Sequence, residues 1–242
     1  MSYIVAIDGP AGAGKGTITK LVAKALGLVS IDTGMLYRCH ALAILRNNIN
    51  LANDKEIEDV LDKIKIELKN ENNKQTVFLN GEDVTSEIRM PEISKVVSKT
   101  SSILGVREKI TNLERKIGYE WLSQGKNIIM EGRDITTVVF PEADVKIYLD
   151  ATPIERAKRR CRQNKRNGIN QSFNEVLQSI MERDKNDMNK KVGALKKAPD
   201  AIYVDSSKSN VNKIKQKIIK IIKQKTEENK NEYIKKDIKS NS

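Results

Sequence analysis

Apolar and polar positions along the chain follow two kinds of pattern that together are typical of an α/β fold. Short apolar runs that begin at Tyr3, Leu28, Asn127, Val145 and Ala201 have the length and composition of buried parallel strands. Between them, apolar residues recur at helical spacing, which predicts amphipathic helices packed on a sheet. This alternation of strands and helices predicts a mostly parallel sheet flanked by helices.

The pattern changes within residues 64–84. Apolar and polar residues alternate from Ile64 to Leu68, a second β-rich run follows at 76–79, and Asn80-Gly81 is a pair typical of hairpin turns. We therefore predict a small β insertion at 64–84, inside a core formed by 1–63 and 85–225. After the insertion, helical spacing is expected from about Pro91 to Ile117.

The last apolar helix pattern begins at Val211, with isoleucines on one face and lysines elsewhere. Packing of this helix on the sheet is the favoured interpretation, and a membrane-surface helix is the alternative. From 226 to 242 the chain is charged and poor in apolar residues. We expect this charged tail to have no catalytic function.

The stretch from Gly9 to Thr17 reads Gly-Pro-Ala-Gly-Ala-Gly-Lys-Gly-Thr and follows the first strand directly. The spacing of Gly9, Gly14 and Lys15 is that of a P-loop, whose backbone N–H groups cradle phosphate while the lysine reaches the β- and γ-phosphates. The helix predicted after the loop would place its N-terminus at that phosphate. A glycine turn without a ligand is the alternative. Gly16, between the lysine and the hydroxyl of Thr17, gives an ending that resembles nucleoside monophosphate kinases, in which it admits a second phosphate.

Polar sequences also follow two other predicted strands. An Asp-Thr-Gly sequence occupies 32–34 and a Glu-Gly-Arg-Asp sequence occupies 131–134. The carboxyl ends of parallel strands line the ligand crevice of an open α/β sheet, so both sequences are expected at the ligand crevice. The two acids and the arginine of 131–134 are candidates for magnesium and phosphate binding. Arg38, one turn into the helix that Asp32 or Thr33 would cap, could reach an anion near the loop lysine. An exposed arginine and a charged turn without a ligand are the alternatives.

The helix after the strand at 145–149, for which Asp150 is a candidate cap, carries seven basic residues between Arg156 and Arg166. Such a run is usually a solvated face or a nucleic-acid patch. Opposite a phosphate loop it can instead be a mobile lid whose arginines close over the transferred phosphoryl group. A second helix is expected to begin near Ser172, so we predict a helical-hairpin lid at about 152–190.

Arg183, Asp187 and Lys190 are separated by four and three residues, which places them on one helix face. One interpretation is an exposed ion pair worth only about 0.2–0.5 kcal/mol. The other directs this face at an acceptor nucleotide, with Asp187 holding Arg183 toward phosphate and accepting a hydrogen bond from a ribose hydroxyl. In that case, loss of Asp187 is expected to leave the melting temperature nearly unchanged and to reduce acceptor efficiency.

Composition narrows the classes of function. The formal net charge of +12 predicts an anionic partner, while an aromatic content of 4% disfavours a nucleic-acid module. Cys39 and Cys161 lack Cys-x-x-Cys spacing and His40 is the single histidine, so no zinc site is expected and His40 is interpreted as a packing residue. GTPase motifs are missing from the sequence. No signal sequence or long apolar run is found, and we expect a cytoplasmic protein without membrane association.

Together the motifs resemble those of the bacterial cytidylate kinase family, up to about Ile222. The similar stretches are Ile7 to Thr17, 32–38, 81–84, 131–134, 138–141, and Glu182-Arg183-Asp184 with Asp187. The β insertion matches the feature that distinguishes this family from shorter adenylate kinases. The resemblance implies a P-loop nucleoside triphosphate hydrolase-type fold that transfers the γ-phosphoryl group of ATP to CMP or dCMP with Mg²⁺, without nucleic acid or membrane partners. We expect a monomer.

The resemblance also implies the site residues. ATP would be bound by Gly9, Pro10, Ala11, Gly12, Ala13, Gly14, Lys15, Gly16 and Thr17, with Thr17 also near Mg²⁺. The acceptor nucleotide would be bound by Thr33, Tyr37, Arg38, Ser98, Arg107, Arg133, Asp134, Arg183, Asp187 and Lys190. Catalytic charge would come from Lys15, Arg133, Arg156, Arg160 and Arg183.

Two positions depart from the family pattern. Thr136 occupies a position where such sequences often have glycine, which is expected to stiffen the turn after Asp134 without removing a ligand. Lys190 occupies a position where many have arginine. It keeps the positive charge but loses the bidentate geometry, so acceptor affinity or base choice is expected to change there.

Overall fold

A computed structural model describes residues 2–71, 74–166 and 168–240 of the chain, with side chains described up to 231. The elements in chain order are β1 (Ile4–Asp8), α1 (Lys15–Leu26), β2 (Val29–Asp32), α2 (Gly34–Arg46), α3 (Asp54–Lys63), β3 (Ile66–Glu71), β4 (Lys74–Leu79), β5 (Glu82–Asp83), α4 (Pro91–Thr100), α5 (Leu104–Ser123), β6 (Ile128–Gly132), β7 (Val145–Asp150), α6 (Pro153–Arg166), α7 (Phe173–Met188), β8 (Ile202–Asp205) and α8 (Val211–Ser240). A short 3-10 turn spans Glu87–Arg89, and a π-helical turn spans Ile135–Val139.

Five parallel strands form the central sheet, in the order β2-β6-β1-β7-β8. The five apolar runs of the sequence therefore supply its five strands, and the predicted fold class is confirmed. β1 lies at the centre, so the loop after it opens at the carboxyl edge of the sheet between β6 and β7. Neighbouring strand ends bring the sequences at 32–34 and 131–134 to the same edge.

Two hydrophobic cores cover the two faces of the sheet, because consecutive strand residues point to opposite sides. On one face Ile4 and Ala6 of β1 pack with residues of α2, α4 and α5. On the other face Val5 and Ile7 pack with residues of α1 and α8. All five residues of β1 are buried, which is the pattern of a central parallel strand.

The predicted β insertion forms an antiparallel sheet in the order β3-β4-β5. Asn80 and Gly81 have φ values of +51° and +89°, the left-handed conformation required by a two-residue turn between β4 and β5. Val77 and Leu79 belong to the core under α2 and α4, so the insertion is packed onto the main body of the protein. Gln75 Oε1 accepts a hydrogen bond of 2.9 Å from the backbone N–H of Asp32, at the end of β2.

α6 and α7 form the predicted helical hairpin. Ala157 of α6 packs against Val176 and Ile180 of α7, and Ser172 caps α7 through a reciprocal capping box with Glu175. The cap of α6 differs from the prediction. Asp150 accepts a hydrogen bond from the N–H of Ala151, whereas the Thr152 hydroxyl accepts one from the N–H of Glu155 in the first turn of α6.

α4 and α5 are separate helices, where the sequence pattern was continuous. Thr100 ends α4 and Leu104 begins α5. Ser101 lies in the turn between them and forms hydrogen bonds with two residues of the candidate site described below. Ile214, Ile218 and Ile222 of α8 are buried on the sheet, which confirms sheet packing for this helix. The helix includes the charged segment from 226 as far as Ser240, and 241–242 lie outside the described residues. None of the described helices is both long and apolar enough to cross a membrane.

Candidate active site

The loop between β1 and α1 has the backbone of a phosphate cradle. Gly9 and Gly14 have φ values of +154° and +98°, which side-chain-bearing residues rarely adopt. A Cβ at Gly9 would also collide with the carbonyl oxygen of Leu149 in β7. No side chain caps the first turn of α1, so its N–H groups face the loop without a competing partner from the cap residue. The strand, loop and helix predicted from the sequence are confirmed.

Lys15 is the first residue of α1, and its side chain is folded back over the loop. Its Nζ donates hydrogen bonds of 2.6 Å to the carbonyl oxygen of Gly9 and 3.1 Å to that of Pro10. Burial lowers the pKa of Lys15, and the positive charge of Arg133 lowers it further, while Glu131 and Asp8 act in the opposite direction. A bound anion would therefore stabilise the charged form of the Lys15 ammonium group.

Glu131, at the end of β6, lies directly in front of the loop. A Cβ on Gly16 would be 3.2 Å from Glu131 Oε1, so this glycine gives room to a buried carboxylate of the protein itself. Oε1 has no hydrogen-bond partner among the described residues. Burial raises the pKa of Glu131, with Asp32 adding to the rise and Lys15 opposing it. An orphaned, buried carboxylate oxygen beside a P-loop fits a hard cation.

Four arginines from different parts of the chain lie close enough to repel one another, and we call them the arginine cluster: Arg38 of α2, Arg133 after β6, Arg160 of α6 and Arg183 of α7. Of these, Arg133 and Arg183 also act on Lys15. Burial lowers the pKa of Arg38 and, although Asp32 opposes this, Arg160 and Arg133 lower it further. Burial, then Arg133, lowers the pKa of Arg183 to about 10, with Arg38 and Arg160 contributing. Mutual repulsion of this kind is typical of a site built for a multiply charged anion.

Asp187 is the acid at the centre of this positive charge. It forms ion pairs of 3.1 Å with Arg133, 2.9 Å with Lys190 and 4.0 Å with Arg183. Burial alone would raise the pKa of Asp187, but these three cations outweigh it and lower the pKa to about 2. Asp187 is 6% exposed, so the interpretation as an exposed i,i+4 pair is wrong. Because Asp187 is buried and paired, its loss is expected to lower the melting temperature instead of leaving it nearly unchanged.

A second buried pair lies beside the arginine cluster. Arg107 of α5 forms an ion pair with Asp134, and both residues are almost fully buried. The Arg107 guanidinium also lies 5.6 Å from the centre of the Tyr37 ring and donates a 3.1 Å hydrogen bond to the carbonyl oxygen of Ser101. A Cβ on Gly193 would collide with this guanidinium, so the loop after α7 needs glycine there.

Glu114 was not indicated by the sequence, although an acid on the apolar face of α5 was a visible signal. It is 1% exposed and lies about two helical turns after Arg107 in α5. Its Oε2 has no hydrogen-bond partner among the described residues. Burial and the charge of Asp134 raise the pKa of Glu114 well above its ordinary value, and Arg107 opposes this. Glu114 is therefore a second buried acid that acts electrostatically on the Arg107–Asp134 pair.

Two arginines of the predicted lid are engaged with the loop and its surroundings. Arg156 is 3% exposed, forms a bidentate ion pair with Asp184 of α7 and donates a 3.1 Å hydrogen bond to the carbonyl oxygen of Ala11. Arg159 donates to the carbonyl oxygen of Ala13 at 3.0 Å. The base of α6 is thus attached to the P-loop. Arg160, in contrast, is exposed and bonds Gln163 of its own helix.

Most of the predicted acceptor residues are brought together by the structure. Arg38 donates a 3.0 Å hydrogen bond to the hydroxyl of Ser94, and Lys190 donates one of 3.1 Å to that of Ser101. Thr33 is buried and its hydroxyl donates to the carbonyl oxygen of Glu131. Ser98 is an exposed residue of α4, whereas the contacts just described are made by Ser94 of α4 and by Ser101, which follows α4. Thr17 is exposed in the first turn of α1.

His40 is fully buried, and its Nε2 donates a 2.9 Å hydrogen bond to the carbonyl oxygen of Ile57. Its interpretation as a packing residue is confirmed. Burial lowers the pKa of His40, with the bond to Ile57 opposing.

One family model and several curated proteins are similar to this chain over most of its length. The family model for cytidylate kinase matches residues 5–224. The chain is 43% identical to the cytidylate kinase of Caldicellulosiruptor bescii over 217 residues, covering 90% of this chain and 94% of that protein. It is 42% identical to the cytidylate kinase of Limosilactobacillus reuteri over 225 residues, covering 93% and 96% of the two chains.

A solved structure of an uncharacterized protein from Eubacterium ventriosum has a TM-score of 0.51 and 14% identity, over 92% of this chain and 99% of that one. At this identity the likeness concerns the fold alone. The family model and the curated relatives both span nearly the whole chain, including the P-loop, the β insertion and the α6–α7 hairpin. The chain belongs to the cytidylate kinase family.

Proposed function

We propose that this chain transfers the γ-phosphoryl group of ATP to the 5′-phosphate of CMP or dCMP, giving ADP and CDP or dCDP. The observation that carries the proposal is the group of cations around the buried Asp187 carboxylate, which forms ion pairs with Arg133, Arg183 and Lys190. Arg133 and Arg183 of this group also act on Lys15 of the P-loop. A P-loop alone accounts for one bound triphosphate. A second group of cations opposite it, held by the single carboxylate of Asp187, accounts for a second phosphate-bearing substrate.

The P-loop residues from Gly9 to Thr17 would bind ATP. Their backbone N–H groups and the N-terminus of α1 suit the phosphates, and Lys15 suits the γ-phosphoryl oxygens. In the structure Lys15 Nζ bonds to two loop carbonyls. Those two bonds hold the ammonium over the cradle, so little rearrangement is needed when phosphate oxygens replace the carbonyls.

The site also fits Mg²⁺. Glu131 offers a buried carboxylate oxygen without a partner in the described residues, and Thr17 offers a hydroxyl in the first turn of α1. Oxygen donors of these two kinds, together with substrate phosphates, are the usual environment of this cation. When bound with ATP, Mg²⁺ would neutralise phosphate charge. Glu131 and Thr17 are the residues of this chain that would hold it.

Transfer would depend on alignment and charge. The acceptor phosphate is already an anion, so no general base is required, and the chain supplies cations on both sides of the reacting group. Arg133 and Arg183 would stabilise the charge that develops on the transferred phosphoryl group. Arg160, exposed on α6, would approach as the hairpin closes and excludes water. Arg156 would act through the loop that it contacts.

The Arg107–Asp134 pair would bind the uncharged part of the acceptor. Asp134 neutralises Arg107, so the pair is a poor phosphate site but still presents hydrogen-bonding atoms next to the Tyr37 ring. Such a combination of donor, acceptor and aromatic surface suits a nucleobase. Lys190, which pairs with Asp187 and Ser101, would support the sugar and phosphate side.

An acceptor panel tests the proposal. Purified protein is incubated with ATP, Mg²⁺ and each nucleoside monophosphate in turn, and ADP formation is followed. We expect strong ADP formation with CMP and dCMP. Preference for AMP would indicate another nucleoside monophosphate kinase, and stimulation of ATP hydrolysis by RNA would indicate a nucleic-acid-binding protein; either result overturns the proposal. The monomeric state and the cytoplasmic location stay predictions.

A further inference from the structure

Asp8 and Thr136 join the two halves of the site through a buried hydrogen-bonded contact. Asp8 is fully buried at the end of β1, and Thr136 is 2% exposed in the π-helical turn after β6. Asp8 Oδ1 accepts a 2.9 Å hydrogen bond from the N–H of Ile135. Its Oδ2 accepts bonds of 2.7 Å and 2.6 Å from the N–H and the hydroxyl of Thr136.

Each end of this contact is continuous with one half of the site. Asp8 immediately precedes Gly9, the first residue of the P-loop. Thr136 follows Arg133 of the arginine cluster and Asp134 of the acceptor pair by three and two residues. A displacement of the turn relative to β1 would therefore change the separation between the ATP loop and the acceptor arginine.

The threonine hydroxyl is an addition that the backbone does not require. Thr136 does not have a positive φ, so the turn does not need glycine at this position. The hydroxyl gives Asp8 a third donor and places a second bond on the same oxygen that the Thr136 N–H already contacts. Thr137, the next residue, is only partly buried and reaches the Asp134 carbonyl oxygen at 3.5 Å.

We propose that the Thr136 hydroxyl is a positioning group that fixes the acceptor turn against the P-loop strand and so aligns the two nucleotides for transfer. The expected effect on kcat rests on the proposed kinase function, whereas the fixing of the turn against β1 does not. The hydroxyl donates to Asp8 and, among the described residues, forms no hydrogen bond with those assigned above to phosphate binding. Its loss therefore affects the alignment of bound substrates and leaves the binding of each separate substrate intact.

Thr136→Val removes the donor and keeps the branched shape, Thr136→Ser keeps the donor, and Thr137→Val is the matched control on the same turn. We expect kcat to fall about 10-fold in Thr136→Val, with KM for ATP and for CMP within about two-fold of wild type. Thr136→Ser and Thr137→Val should retain kcat within about two-fold. A kcat retained in Thr136→Val, or one not rescued by serine, would overturn the proposal.

Hydrogen exchange gives a readout that needs no activity. The amides of Ile135 and Thr136 both donate to Asp8, so their exchange should accelerate in Thr136→Val and not in Thr136→Ser. If Thr136→Val does not fold, Thr136→Ala is measured in the same way, since it lacks the hydroxyl and adds no methyl group against Asp8. Absence of CMP phosphorylation in wild type would refute the kinase function alone, whereas unchanged exchange in the variants would refute the positioning role alone.

Discussion

Replacing Asp187 with asparagine should weaken both the folded state and the acceptor site. The substitution keeps the side-chain shape and removes the negative charge that faces Arg133, Arg183 and Lys190. The Asp187 pKa is lowered from 3.8 to about 2 in the folded protein. The interval between these values corresponds to about 2.5 kcal/mol of stability at neutral pH. We therefore expect the melting temperature to fall by roughly 5–10 °C in a chain of this size.

The acceptor site should be affected at the same time, because Asp187 holds Arg133 and Lys190 in place. We expect kcat/KM for CMP to fall roughly 10- to 200-fold, the effect of a lost charged hydrogen bond. Inorganic phosphate should raise the melting temperature of Asp187→Asn more than that of wild type, since it can occupy the unpaired cations. Thermal unfolding with and without phosphate, and initial rates at varied CMP, measure these effects.

Glu182→Gln is the matched control, because Glu182 is an exposed acid on the same helix that bonds only Gln178 in the described residues. The Glu182→Gln variant should change neither the melting temperature nor kcat/KM for CMP. The sign of the pH dependence is a further check. A lowered carboxyl pKa stabilises the fold above 3.8, and this contribution disappears as the pH falls toward 2, so wild type and Asp187→Asn should converge in acid. Unchanged stability together with unchanged CMP kinetics in Asp187→Asn would refute the role of Asp187 in holding these cations.

Arg156→Ala should lower the free energy of unfolding by about 3–5 kcal/mol, because it leaves Asp184 buried and unpaired. Arg160→Ala should leave the free energy of unfolding unchanged and lower turnover. Urea titration measures the stability of the two variants, and steady-state rates measure their turnover. Equal losses of stability in both variants would contradict the distinction between a buried, paired Arg156 and an exposed Arg160. The lowered pKa of His40 predicts that stability present above pH 6.5 declines as the pH falls below that value, since the unfolded chain then binds the extra proton. A His40→Asn variant with the same pH profile as wild type would contradict this assignment.

The sequence was most informative where chemistry depends on fixed local spacing. The P-loop, the strand ends at 32–34 and 131–134, and the Asn80-Gly81 turn could all be predicted, because a glycine pattern or a strand boundary determines their geometry locally. α3 was also recognisable in principle. The Asn53 side chain accepts a hydrogen bond from the N–H of Glu56, and this capping signal stands in the sequence.

The contacts that assemble the site depended on the fold itself. Asp187 looks like a member of a surface pair in sequence, and only the approach of Arg133 from β6 makes it a buried centre of charge. Asp8 looks like the last residue of a strand, and its partners lie 127 and 128 residues further along the chain. The π-helical turn at 135–139 has no helical spacing to indicate it. Long-range contacts of this kind cannot be obtained from local periodicity.

Transfer of label from ATP to CMP is a direct measurement of the proposed reaction. The protein is incubated with Mg²⁺, CMP and ATP labelled at the γ-phosphate, and the labelled products are separated and counted. The proposed reaction predicts one labelled CDP for each ATP consumed, and a loss of roughly 10²-fold or more in turnover for a folded Lys15→Ala variant. Label released as inorganic phosphate instead of CDP, or a Lys15→Ala variant that forms CDP at the wild-type rate, would contradict it.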